Sequence, residues 1–86
     1  MAREQAAPQT PLAVVQAVWP EAVGPELAAR ADPVAEREGE ITVECADAVW
    51  AQELDLMQAQ LLERLRERLG EAAPASLRFR MNRARF

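Results

Sequence analysis

The sequence predicts an α+β protein in which helices pack on one face of a three-stranded sheet. Two observations predict this class. Apolar residues recur at helical spacing over positions 12–19 and again over positions 50–69, whereas positions 41–45 alternate apolar and polar residues as a half-buried strand does. The predicted order of elements is helix, strand, strand, long helix, strand.

The first helix is predicted to begin at Thr10 and Pro11. Thr10 suits the N-cap, and Pro11 suits the first helical position, because the N–H that proline lacks has no intrahelical partner there. The apolar face consists of Leu12, Val15, Val18 and Trp19. Pro20 and the Gly-Pro pair that follows are expected to interrupt this helix, so that residues 25–31 form a separate short helical turn.

A β-hairpin is predicted over positions 34–45. Residues 34–37 form a weak strand, and Glu38-Gly39 forms the turn, because glycine tolerates positive φ. In the second strand the alternating residues Ile41, Val43 and Cys45 share one face. Cys45 is therefore expected to point into the core.

The longest helix is predicted to begin after Asp47, as its N-cap, and to end at Gly70. Its apolar stripe consists of Trp50, Leu54, Met57, Leu61 and Leu65, extended by Leu62 and Leu69. After Pro74 a last strand places Leu77, Phe79 and Met81 on one face and Arg78 and Arg80 on the other. This strand is too far along the chain from the hairpin for its partner to be predicted.

The chain has 86 residues, which is enough for one domain. We place this domain at residues 10–82, between flexible tails at 1–9 and 83–86. The longest apolar runs are four residues, so no membrane span is predicted, and the N-terminus lacks the apolar core of a signal peptide. A single cysteine gives no support for an oxidising compartment, and a cytoplasmic location is expected.

The residue types that are missing indicate a protein that is not an enzyme. The sequence has no histidine, lysine or tyrosine, so its only serine, Ser76, has no side chain that could activate it as a nucleophile. One cysteine without histidine excludes the usual zinc spacings. No metal, cofactor or small-molecule substrate is predicted, and the protein is expected to act by binding partners.

The charge distribution is asymmetric along the chain. Residues 1–63 carry three arginines against twelve acidic residues, whereas residues 64–86 carry seven arginines against two acidic residues. Such a chain can present a basic face although its total charge is −4. The candidate nucleic-acid-binding residues are Arg64, Arg68, Arg78, Arg80, Arg83 and Arg85. The alternative is a solvated face with arginines favourably placed near a helix C-terminus.

Val49 and Leu56 form a second candidate surface. At 100° per residue they lie together on the side of the long helix opposite its apolar stripe. The first helix could pack there. Alternatively, these residues form an exposed patch that binds a partner protein.

Three segments carry a resemblance to a known family. They are Val18-Trp19-Pro20-Glu21 with the following Val23-Gly24-Pro25 and Leu27-Ala28, the hairpin segment Gly39-Glu40-Ile41-Thr42-Val43, and Ala48-Val49-Trp50-Ala51-Gln52-Glu53-Leu54 leading to Leu61-Leu62 and Leu77-Arg78-Phe79. In this order and spacing they resemble the DciA family, the bacterial replicative-helicase loader or operator proteins, over residues 17–81.

The resemblance implies a KH-like fold and a non-enzymatic adaptor of bacterial DNA replication that binds the replicative helicase and assists its loading on DNA. Weak, sequence-independent DNA contact through the arginines would accompany that role. The three glycines do not have the GxxG spacing with which RNA-binding KH domains clamp a backbone. The alternative function is a nucleic-acid-binding KH-like protein that acts without a helicase.

Overall fold

The computed structural model describes residues 10–84. Four helices are present in this part of the chain: α1 (Pro11–Val23), α2 (Pro25–Ala28), α3 (Ala48–Leu56) and α4 (Gln58–Leu69), the last followed by a 3₁₀ turn (Gly70–Ala72). The strands are β1 (Ala31–Arg37), β2 (Glu40–Cys45) and β3 (Ser76–Met81). The predicted tail at 1–9 and the last two residues, 85 and 86, lie outside the described residues.

The three strands form one mixed sheet in the order β1-β2-β3. β1 and β2 are antiparallel, and β3 lies parallel to β2 in a register that opposes Ile41 to Leu77 and Val43 to Phe79. A parallel neighbour needs a crossover, and α3 and α4 supply it. The α+β class with helices packed on the sheet is confirmed, and the element order is compatible with the KH-like fold that the resemblance implies.

The predicted hairpin turn is present. Glu38 and Gly39 both have positive φ, 52° and 86°, as a two-residue turn that matches the strand twist requires. The Gly39 amide donates to Glu36 Oε2 at 2.8 Å, and the Gly39 carbonyl accepts from the Ala75 amide at 2.8 Å. The turn therefore also fixes the point at which β3 begins.

The predicted core is largely confirmed, and it lies between the helices and one face of the sheet. Its fully or nearly buried apolar residues include Trp19, Ile41, Val43, Cys45, Leu54, Leu61, Leu65 and Leu77. Trp50, Met57 and Phe79 pack against this core but are only half-buried.

Three predictions, for the first helix, the short helical turn and the first strand, were wrong in their limits. α1 continues through Pro20 to Val23. Proline has no N–H to donate to the Gln16 carbonyl, but Gln16 and Pro20 are both exposed, so water can bond to that carbonyl instead. The separate helical turn ends at Ala28 and not at Ala31. β1 begins at Ala31 and includes Pro33, which an edge strand tolerates.

The single long helix was also a wrong prediction, because the helix breaks at Met57. Met57 has φ −94° and ψ 9°, and its amide is shared between the carbonyls of Glu53 (3.2 Å) and Leu54 (3.0 Å). α3 packs mainly on β3, whereas α4 packs mainly on α1. The change of direction lets both Leu54 and Leu61 be fully buried.

Candidate nucleic-acid and partner-binding surfaces

The candidate arginines on β3 lie on the sheet face that no described helix covers, which we call the open face. Leu77 is buried beneath the helices, so Arg78 and Arg80, at alternate positions, project to the opposite side. Arg78 is exposed and is opposed in the sheet by Thr42. Among the described residues no carboxylate forms an ion pair with Arg78.

Arg80 forms a strong ion pair on the same face. Its Nη2 and Nε donate to Glu44 Oε2 at 2.7 Å and 3.2 Å, and Glu44 is only 6% exposed. Asp32 opposes Glu44 on the other side, so a row of Asp32, Glu44 and Arg80 crosses the sheet. Part of the Arg80 charge is thus used within the protein, and Arg78 is the more available cation.

Arg64 and Arg68 lie on the other side of the molecule. Both are exposed on α4, which packs on the helical side of the sheet. Arg68 Nη2 donates to the Glu21 carbonyl at 3.1 Å, and Arg68 Nη1 lies 3.8 Å from Glu21 Oε1. The structure therefore divides the predicted arginine set into an α4 pair and a β3 pair with the sheet between them.

The remaining predicted cations follow β3. Arg83 is exposed in a turn, and its Nη2 lies 4.0 Å from Met81 Sδ. Arg85 lies outside the described residues. Arg83 thus adds a cation just beyond the C-terminal end of β3, beside the Met81 side chain.

Val49 and Leu56 are exposed and do not pack against α1. They are 69% and 76% exposed, two turns apart on α3 and about 10 Å from each other along the helix axis. α1 packs on α4 and β1 instead, because the helix break turns α3 away from it. Of the two interpretations of these residues, packing by the first helix is wrong.

A groove of about 490 Å³, not predicted from the sequence, lies between α3 and the outer edge of β3. α3 lines it with Ala48, Ala51, Gln52 and Asp55, and β3 lines it with five consecutive residues, 77–81. Side chains of consecutive strand residues point to opposite faces of the sheet, so five consecutive residues can line one groove only where the strand presents its backbone edge. β3 is such an edge strand. The sequence could not indicate this groove, because it depends on which edge of β2 the last strand joins.

Cys45 is buried as predicted. Burial raises the pKa of its thiol to about 11, and the nearby Asp47 carboxylate adds to the effect. A thiol with so high a pKa is protonated at neutral pH and unreactive. Within residues 10–84, no three potential metal-ligating side chains cluster, and no helix has the length and apolar character needed to cross a bilayer.

The described residues form a small α+β domain with exposed arginines on one sheet face, an exposed apolar pair on α3 and an edge strand, β3, beside a groove. The sequence profile described as "Dna[CI] antecedent, DciA" matches residues 2–79. The chain therefore belongs to the DciA family, as the resemblance indicated.

Bacterial relatives agree with this assignment. A UPF0232 protein of Rhodococcus jostii (strain RHA1) is 35% identical over 60 residues, covering 70% of this chain and 32% of that protein. A UPF0232 protein of Streptomyces avermitilis is 42% identical over 66 residues, covering 72% of this chain and 36% of that protein. The chain thus spans about a third of the length of these relatives.

Proposed function

We propose that this protein is a non-enzymatic adaptor that binds the replicative helicase of its bacterium and assists helicase loading on DNA. The observation that carries the proposal is the match to the DciA family over residues 2–79. Such a role implies a cytoplasmic location. The site residues for the two partners are proposed from the surface geometry.

An adaptor without a nucleotide site has to act by differential binding. It would stabilise a helicase conformation, or a helicase–DNA encounter, that is otherwise sparsely populated. A tenfold bias requires only about 1.4 kcal/mol of differential affinity, which a small interface can supply. The exposed pair Val49 and Leu56 supports an apolar contact of this kind on α3.

The open face supports the DNA contact. Arg78 is exposed there, Arg80 adds a partly neutralised charge, and Arg83 is exposed just beyond the end of the strand. With about three phosphate contacts, the slope of log K against log salt on single strands should be roughly −2. Binding should be weak and independent of base sequence, because arginine contacts to phosphates carry no sequence information.

The helicase test compares two double variants that add the same charge. Val49→Asp with Leu56→Asp should weaken co-purification of the helicase from the same organism and its stimulation in a fork-unwinding assay. Ala59→Asp with Gln60→Asp, at exposed positions of α4, should leave both unchanged. Failure of the unaltered protein to associate with helicase at micromolar concentrations would overturn the adaptor function.

The DNA test compares three single variants with equal charge change. Arg78→Glu should weaken binding of an oligothymidine strand about tenfold at low salt. Arg66→Glu, which alters an exposed α4 arginine already paired with Glu63 at 3.0 Å, should change it less than about twofold. A larger loss with Arg64→Glu than with Arg78→Glu would assign DNA to α4 and not to the open face.

DNA binding that persists when helicase association is absent would favour the second candidate function, a nucleic-acid-binding protein that acts alone. The exposed arginines on the sheet face that no described helix covers are the specific observation in its favour.

A further inference from the structure

The outer edge of β3 presents main-chain groups that the sheet does not use. The amides of Ser76 and Asn82 donate inward to the carbonyls of Gly39 and Cys45. Because a strand alternates with a period of two, Arg78 and Arg80 also bond inward, and residues 77, 79 and 81 face outward. The Leu77 amide confirms this direction, since it donates outward to Gln58 Oε1 at 3.0 Å.

Gln58 therefore caps only the first outward amide. Beyond it, the amides of Phe79 and Met81 and the carbonyls of the outward residues have no hydrogen-bond partner among residues 10–84. An uncovered edge of this kind is a template for another strand. A groove of about 490 Å³ lies beside this edge, and α3 lines it partly with the small residues Ala48 and Ala51.

The charges of Arg78 and Arg80 determine which kind of strand can be added at the β3 edge. In a symmetric dimer, antiparallel pairing of two β3 strands centred on Phe79 would place Arg78 directly opposite Arg80 of the second copy, and like charges in that position are destabilising. A second copy is therefore disfavoured. An acidic side chain on an added strand would instead meet Arg78, whose opposite neighbour within the sheet is the uncharged Thr42.

The groove side of an added strand has different surroundings. Side chains that alternate with the acidic ones would point toward Ala48 and Ala51 and would lie beside Phe79 and Met81, which is 44% exposed. The surface next to Ala48 and Ala51 is apolar, whereas Gln52 and Asp55 make the rest of the α3 wall polar. The two faces together specify a sequence in which acidic and apolar residues alternate.

We propose that the outer edge of β3 binds an extended segment of a partner protein, with alternating acidic and apolar residues, by adding it to the sheet as a fourth strand. Main-chain bonds to Phe79 and Met81 supply affinity, and Arg78 with Arg80 selects the acidic residues. The proposal does not depend on helicase binding or on the Val49–Leu56 patch. Peptide binding at β3 can therefore fail while helicase binding holds, and helicase binding can fail while peptide binding holds.

The first test uses a labelled synthetic peptide of about eight residues, a usual strand length, with alternating glutamate and valine. It should bind the full chain, and the same peptide with lysine in place of glutamate should not. Met81→Pro should weaken binding about tenfold or more, because it removes an outward amide and places a ring in the path of the strand. Met81→Ala keeps the amide and should cost less than about threefold.

Both variants should unfold close to the unaltered protein in a thermal melt, because the Met81 amide makes no bond within the sheet. Equal losses of peptide affinity in the two variants would overturn the proposal, since the contact would then come from the side chain. No binding of the glutamate–valine peptide up to about 1 mM would also overturn it.

The second test probes strand pairing from the peptide's side. In an added strand, one alternate set of peptide amides points to β3 and the other to solvent. Methylating the nitrogens of all valines or of all glutamates should therefore abolish binding in one peptide and leave it within about threefold in the other. Equal effects would exclude strand addition. If Met81→Pro weakens oligothymidine binding more than Met81→Ala does, the groove holds nucleic acid and the peptide proposal is wrong.

Discussion

The two edge strands of the sheet, β1 and β3, differ in how far side chains from the helices bond to their outer backbone groups. At β1, side chains of α1 cover the edge: the Trp19 indole N–H donates to the Ala31 carbonyl at 2.9 Å, and the Gln16 amide donates to the Pro33 carbonyl at 3.0 Å. Pro33 has no amide to offer, and an irregular register beside it bends the strand. At β3, within residues 10–84, only the first outward amide is capped, by Gln58.

This difference separates stability from binding. Where Trp19 and Gln16 bond to the Ala31 and Pro33 carbonyls, α1 occupies the β1 edge, so a strand cannot be added at these positions. At the β3 edge a described side chain caps only the Leu77 amide, and the arginines disfavour self-association while leaving the backbone accessible to an acidic strand. A domain of this size can thus keep one edge available without exposing both to aggregation.

The largest expected effect comes from removing the core beneath the open edge. Leu54 is fully buried on α3, the helix that forms the wall of the groove. Leu54→Ala should lower the free energy of unfolding by about 2–5 kcal/mol in a denaturant melt. Leu56→Ala, on the same helix and 76% exposed, is the matched control and should change it by less than about 0.5 kcal/mol.

Removing the Trp19 hydrogen bond at the β1 edge should have the next largest effect on the free energy of unfolding. Trp19→Phe keeps most of the buried ring but leaves the Ala31 carbonyl without the indole donor, in a site where Trp19 is 2% exposed. The expected loss is about 1–3 kcal/mol in the free energy of unfolding. A loss below about 0.5 kcal/mol would mean that water replaces the indole and that this edge is not sealed.

Removing the one cap on the open edge should cost less. Gln58→Ala frees the Leu77 amide, which can bond to water because the groove is open, so we expect about 0.5–1.5 kcal/mol. Glutamate–valine peptide affinity should not fall. If Gln58→Ala lowered the free energy of unfolding more than Trp19→Phe does, the side-chain bond at the β3 edge would matter more for stability than the one at the β1 edge, contrary to the comparison.

Cys45, on the central strand β2, provides a test of how stability depends on pH, and its effect is absent at neutral pH. The folded protein holds the pKa of Cys45 at about 11, above its ordinary value of 9.0. Folding therefore favours the protonated thiol, and this contribution is complete below about pH 9 and is lost as pH rises toward 11. Cys45→Ala should remove the component of alkaline destabilisation in that window, measured by urea melts across pH.

Local signals in the sequence predicted the local structure well. The side chains of Thr10 and Asp47 cap their helices through the amides of Ala13 (3.0 Å) and Trp50 (2.8 Å), as their positions predicted. The hairpin turn at Glu38-Gly39 and the burial of Cys45 were also predicted correctly. Each depends on residues close together in the chain or on simple alternation.

Features that depend on distant contacts were not predicted. No glycine or proline marks the helix break at Met57, because the break follows from packing α3 on β3 and α4 on α1. The pairing of Arg80 with Glu44 requires β3 to lie beside β2 in one register. For the same reason the division of the arginines and the groove at β3 became visible only in the folded protein.

The parallel pairing of β2 with β3 has a consequence for the order of folding. The β1–β2 hairpin joins residues close in sequence, but Glu40 meets Ser76 only after both crossover helices have been placed. Closing so long a loop costs chain entropy, so we expect the local hairpin to form first and β3 to dock after the folding transition state. Substitutions in β3 should then accelerate unfolding and leave the refolding rate nearly unchanged. Until that docking step, the edge of β2 that β3 covers in the native protein is itself exposed to pairing with other strands.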